Sequence, residues 1–195
     1  MTQTIILPKP DLHGKLSLEA ALAKRRSVRE YRPDPLQDKE IGQLLWAAQG
    51  ITDPTGRRTA PSAGALLALE LYVVTHAGMY QYEPQSHALV FHLDGDLRQK
   101  LSAAALDQEC VLKAAAVFVI TADYERLARK YGEERSQRYA YMEAGHAAQN
   151  LLLQAVALGL AAVPAGAFTD DQVKEVLQLP ADQQPLYLIP VGYPK

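Results

Sequence analysis

Apolar residues recur at helical spacing in LEAALAK, where Leu18, Ala21 and Leu22 share a face behind Ser17, a favourable N-cap. PDPLQ ends that element, and Asp38 is placed to cap a second helix, KEIGQLLWAAQ, with Ile41, Leu44, Leu45 and Ala48 on one side and Gly50 as its stop. The period then shortens. LELYVVTH reads as a strand, and MYQYEPQSHALVFHL as a hairpin turning at Pro-Gln-Ser. A helix from about Leu97 to Ala105 leads to AAAVFVITA, an unbroken apolar run of strand length, the pattern of a central strand buried on both faces. AAVPAGAF, a capped helix DDQVKEVLQL and a last strand PLYLIPVGY close the chain.

The segment Tyr139 to Leu160, YAYMEAGHAAQNLLLQAVALGL, is apolar nearly all round but is interrupted by Glu143, His146, Gln149, Asn150 and Gln154. Those polar groups speak against a membrane span, so the helix is expected in the middle of the fold or at the seam of an oligomer. Strands and helices mix without a strict βαβ rhythm, which predicts an α+β fold: a central mixed or antiparallel sheet flanked by helices.

Composition narrows the function. With 195 residues and 48% hydrophobic side chains, the chain suits one domain over 1–195. A net charge of −2 argues against nonspecific nucleic-acid binding. The single Cys110 excludes an internal disulfide and a multi-cysteine metal site, and MTQTIILPKPDLHG lacks the pattern of a secretory signal, so the expected address is cytoplasmic. There is no GxxxxGK[ST], no GxGxxG and no HExxH, and the five histidines stand singly, so no metal centre is expected. A serine hydrolase using Ser62 and His146 is weakly supported, because APSAGA lacks the nucleophile elbow GxSxG.

Positive charge is instead concentrated. KRRSVREYR, from Lys24 to Arg32, places five cations in nine residues, which suits an anionic ligand or, more plainly, a solvated helix end. RRSVREY, LLWAAQGIT, RTAPSAGALLALELYVV, YMEAGHAAQNLLLQAVALGLAAVPAGAF and LIPVGYP, in that order, resemble the nitroreductase family of FMN enzymes, and within it the SagB/thiazoline-oxidase-like dehydrogenases.

The resemblance implies a nitroreductase-like fold, a homodimer with FMN at its interface, and NAD(P)H as reductant. It matches Arg25, Arg26, Ser27 and Arg29 to the motif that holds the FMN phosphate, ribityl and pyrimidine side; guanidinium forks suit phosphate. Pro61, Ser62, Ala63 and Gly64 match a loop that approaches the flavin ring from the other subunit, and Pro164, Ala165 and Gly166 a loop whose backbone faces the flavin edge near N5. Lys195 corresponds to a further phosphate-binding cation. No side chain is implied as a catalyst, since the flavin carries the chemistry.

The implied reaction is a ping-pong transfer from NAD(P)H to a small-molecule acceptor such as a nitroaromatic or quinone. Two alternatives stay open: an azoline dehydrogenase, and a flavin-sequestering protein with little turnover. Leu66, Leu67 and Ala68 replace the asparagine and Tyr-Pro that relatives carry after the serine loop, which points to a more apolar pocket. Considered alone, His146 is expected as a satisfied buried residue, Cys110 as structural, and Tyr139 and Tyr141 as packing groups.

Overall fold

The computed structural model describes residues 3–195. Strand β5 (Ala116–Asp123) is the apolar run expected to be central, and alternation along it divides the core in two. Ala116, Phe118, Ile120 and Ala122 face α2 (Asp38–Gln49) and α6 (Glu133–Ala157). Val117 and Val119 turn the other way, toward α3 (Arg98–Ala104), α4 (Glu109–Lys113) and α7 (Asp170–Leu177). Burial on both faces explains why this strand shows no polar alternation.

The remaining strands are β1 (Thr4–Ile6), β2 (Leu69–Thr75), β3 (Gly78–Glu83), β4 (Ala88–Asp94), β6 (Ala161–Ala162) and β7 (Gln183–Gly192). Their order is β1-β4-β3-β2-β5-β7-β6 and every neighbouring pair is antiparallel. The fold is therefore α+β with an antiparallel sheet, as expected. Helix α1 (Leu18–Lys24) is capped by Ser17, whose Oγ accepts from the Ala20 amide at 3.2 Å, and α5 (Tyr124–Tyr131) leads directly into α6.

Four local expectations are corrected. The N-cap of α2 is Gln37 rather than Asp38; the Gln37 amide donates to the Glu40 carboxylate at 2.8 Å, which leaves Asp38 free to occupy the first turn. Of the α1 face, only Ala21 is buried, whereas Leu18 and Leu22 are 61% and 52% exposed. Helix α6 begins at Glu133, six residues before the apolar stretch, and is not buried all round. Ala140, Glu143, Ala144, Ala147, Ala148, Leu151, Leu152 and Ala155 form its inner stripe, while Tyr141, Met142 and His146 are exposed. His146 thus lies outside the core, because its position falls off the buried 3.6-residue period.

Among the described residues no helix is long and apolar enough to cross a membrane, and no cluster of three metal-ligating side chains occurs.

Candidate functional site

The basic stretch is laid along the edge of the sheet. Ser27 pairs with Ala162 of β6 in parallel sense, and the Val28 amide donates to the Ala162 carbonyl at 3.1 Å. Four residues on, Tyr31 pairs with Pro194, and the Arg32 amide donates to Tyr193 at 2.9 Å. The motif is thereby fixed between β6 and the C-terminal segment, with its cations directed to two places.

Lys24, Arg25 and Arg26 border a cavity of about 320 Å³ whose other wall is Leu152, Ala155 and Val156 of α6 and the turn from Gly159 to Ala162. Arg25 is half-buried there. The Arg26 guanidinium folds back onto the carbonyls of Ala23 and Arg25, at 3.0 and 2.7 Å, and so caps the end of α1. Arg29 is exposed, and its charge opposes the burial that raises the Cys110 thiol pKa. Lys195, after the closer Lys113, helps hold the exposed Glu109 carboxyl below its ordinary range.

The loop Pro164–Gly166 lies alongside. Ala165 exchanges both backbone hydrogen bonds with Leu188, at 2.8 and 3.0 Å, so its amide is committed to β7. Gly166 is exposed and its amide has no acceptor among the described residues. Of the three residues in this loop, Gly166 offers the free donor; Pro164 has none.

Pro61–Gly64 is placed elsewhere. Ser62 Oγ accepts from the Leu67 amide at 2.8 Å, closing a turn in which Gly64, Ala65 and Leu67 all have left-handed backbone, with φ of 60°, 54° and 53°. Two of these are not glycine, and such conformations persist only where the surroundings enforce them. A Cβ on Gly64 would stand 2.5 Å from Tyr131 Oη and 2.8 Å from Lys130 Nζ, so the loop rests on the end of α5. Beneath it lies Glu143, 2% exposed, with both carboxylate oxygens buried and no donor at hydrogen-bond geometry. Burial raises its pKa; the Ser62 hydroxyl, the Ala68 and Leu69 amides and the Arg126 charge pull the other way.

The Pro61–Gly64 loop meets α6 near the middle of the helix, and the Arg25 cavity meets it at the C-terminal end. Glu143 supports the Pro61–Gly64 loop, and Val156 lines the Arg25 cavity; at the helical rise these positions are about 20 Å apart. The hydrolase pairing finds no support in the geometry: Ser62 bonds Leu67, and the His146 side chain is exposed with no hydrogen bond among the described residues. Cys110 is buried, as expected of a structural thiol. Tyr139 packs on Tyr131 with ring centroids 4.8 Å apart, and Tyr141 on Tyr124 at 6.3 Å. The support that Lys130 and Tyr131 give to Gly64 was not apparent from spacing, because it joins elements distant in sequence.

The chain thus combines an antiparallel sheet with a cationic stretch along its edge and a loop whose Gly166 amide is unpaired among the described residues. The sequence model of the nitroreductase family matches residues 22–193, and the chain belongs to that family. It is similar to a Methanocaldococcus jannaschii protein described as a nitroreductase, at 43% identity over 98% of each chain. An FMN reductase (NADPH) of Bacillus subtilis is 31% identical over 89% of this chain and 64% of its own length. The crystal structure of a nitroreductase from Ralstonia eutropha superimposes with a TM-score of 0.89 at 31% identity, covering 98% of this chain and 90% of that one. The chain is accordingly an oxidoreductase of the nitroreductase type.

Proposed function

We propose that this chain is an FMN-dependent NAD(P)H oxidoreductase that acts as a homodimer, its residues 1–195 forming one nitroreductase-like domain, with FMN held between subunits. The observation that carries the reading is the division of the site along α6. A twofold axis crossing that helix would pair two copies antiparallel and bring the Pro61–Gly64 end of one to the Arg25–Arg29 end of the other. Leu18, Leu22, Tyr141 and Met142, exposed by 52 to 61%, supply apolar surface for such a contact.

The donor set fits FMN. Arg25, Arg29 and Lys195 offer charge to a phosphate and Ser27 a neutral hydroxyl, while Arg26 contributes by fixing the turn that presents them. Gly166 offers its free amide to an acceptor on the flavin edge, and the Ala165–Leu188 pairing holds that amide in place. Pro61–Gly64 presents backbone and small side chains, which permits close approach to a planar ring. When bound, FMN supplies the redox chemistry, taking hydride from NAD(P)H and passing electrons to a nitroaromatic, quinone or related acceptor after the nicotinamide leaves. The chain's own part is to bind, orient and shield.

Within the family, the five sequence blocks taken together resemble the SagB/thiazoline-oxidase-like branch, from which Leu66–Ala68 depart in place of its Tyr-Pro. Mixed dimers test the shared site. Arg25→Ala/Arg29→Ala and Gly64→Trp variants should each fail to retain flavin as homodimers, whereas the heterodimer should recover one of its two sites. Heterodimers that stay colourless would contradict a site built from both subunits.

A further inference from the structure

The residues on either side of Gly166 are tied to different parts of the fold. Ala165 is paired with Leu188 of β7. On the other side, Gln108 Nε2 donates to the Ala167 carbonyl at 2.8 Å and to the Ala105 carbonyl at 2.9 Å, so both hydrogens of its amide are engaged. Two residues beyond Ala167, the Thr169 amide donates to the Ala104 carbonyl at 2.9 Å. The loop is thus clamped between β7 and the turn that joins α3 to α4.

Gln108 itself projects from a strained turn. Leu106 and Asp107 both have left-handed backbone, each with φ of 58°, and neither is glycine, so the surroundings enforce the conformation. Ser102, 5% exposed, does much of this: its carbonyl accepts from the Asp107 amide at 2.9 Å, and its Oγ donates to the Gln108 carbonyl at 2.9 Å. The same Gln108 carbonyl accepts from the Val111 amide at 3.0 Å, where α4 begins. A side chain anchored this way holds its target in one place, and a donor fixed on both flanks keeps one direction. The fold does not itself demand glycine at 166, since its backbone is not left-handed and a Cβ there would meet nothing within 4 Å. Its open side leaves room for an incoming group.

We propose that Gln108 is a positioning residue of the flavin site: by bridging Ala105 and Ala167 it fixes the Gly166 amide for the flavin edge and so sets the reduction potential. The inference rests on the FMN reading above. An amide donor serves flavin N5 while that nitrogen is an acceptor; two-electron reduction adds a hydrogen there, so a fixed donor favours the oxidised form. Gln108→Met keeps the side-chain length and removes both donors. In protein stripped of flavin, nitrogen-15 relaxation at Gly166 should move from the rigid range, an order parameter of about 0.85, toward about 0.6 or below. In the loaded protein, anaerobic titration against a reference dye should show the preference for reduced over oxidised flavin raised about fivefold, the contribution of one neutral hydrogen bond. That ratio corresponds to a potential about 20 mV higher for a two-electron couple. Ser102→Ala should move both readings in the same direction by less, and serves if Gln108→Met does not fold. A merely structural role would lower the urea midpoint and leave the potential where it was. Unchanged relaxation at Gly166 in a folded variant would overturn the clamp, and an unchanged potential with a mobile Gly166 would overturn its role toward the flavin. Protein that cannot be loaded with FMN would overturn the cofactor reading and this role with it, while the relaxation would still show whether Gln108 holds the loop.

Discussion

A Cβ on Gly192 would stand 2.8 Å from the Cβ of Tyr31. Only glycine lets β7 pass this close to the cationic motif. Tyr31 then completes the fastening, its hydroxyl donating to the carbonyls of Val28 at 2.8 Å and Pro190 at 3.2 Å. Gly192→Ala should therefore push the motif away from the sheet. Overpacking of this kind costs about 1–3 kcal/mol. Urea unfolding should show that loss, and equilibrium dialysis should show weaker FMN binding.

Arg25 lines the cavity beside α6 and Arg29 does not, so their contributions to cofactor binding should be separable. Hydrogen bonds to charged groups contribute roughly 1.5–3 kcal/mol each. Each alanine variant should lose about tenfold or more in FMN affinity, and the double variant should emerge from gel filtration folded and colourless. Absorbance at the flavin band relative to the protein band measures this directly.

Glu143 gives a pH signature. Burial raises its folded pKa above that of the unfolded chain, so the folded state holds the proton more tightly. Its contribution to stability is complete below the ordinary carboxylate range and declines as pH rises through the raised folded value. Glu143→Gln should abolish that decline. Urea midpoints at acid and mildly alkaline pH should therefore converge in the variant, relative to wild type.

The exposed apolar positions make the association testable. Leu22→Asp together with Met142→Asp places charge on two surface residues that are not part of either core, so the fold should survive. Sedimentation equilibrium should report a monomer, and bound flavin should fall with it. A monomer that keeps its flavin would separate the cofactor site from the subunit contact.

How legible this was depended on whether a signal lay within one element. AAAVFVITA announced β5 because burial on both faces removes the polar alternation, and Gly50 stopped α2 as its position suggested. Composition misled for α6: small residues such as Ala144, Ala147 and Ala148 fill the inner stripe, while Tyr141 and Met142 point outward, so the helix reads as apolar all round although its packing is one-sided. Leu18 and Leu22 misled in the opposite sense, since helical spacing identifies a shared face but not what covers it. The resemblance of whole blocks placed the chain in its family; the positions that Pro61–Gly64 and Arg25 take along α6 arise from contacts between distant segments and have no local sequence signature.

A flavin held by this chain and reduced by a nicotinamide would show itself in one experiment. Anaerobic titration of the purified protein with NADPH, followed by visible absorption, tests both parts at once. The flavin band should bleach on addition of NADPH and return with an added quinone. A flavin band that persists would leave a protein that holds the cofactor without turning it over, and a colourless protein that cannot be loaded with FMN would contradict the assignment itself.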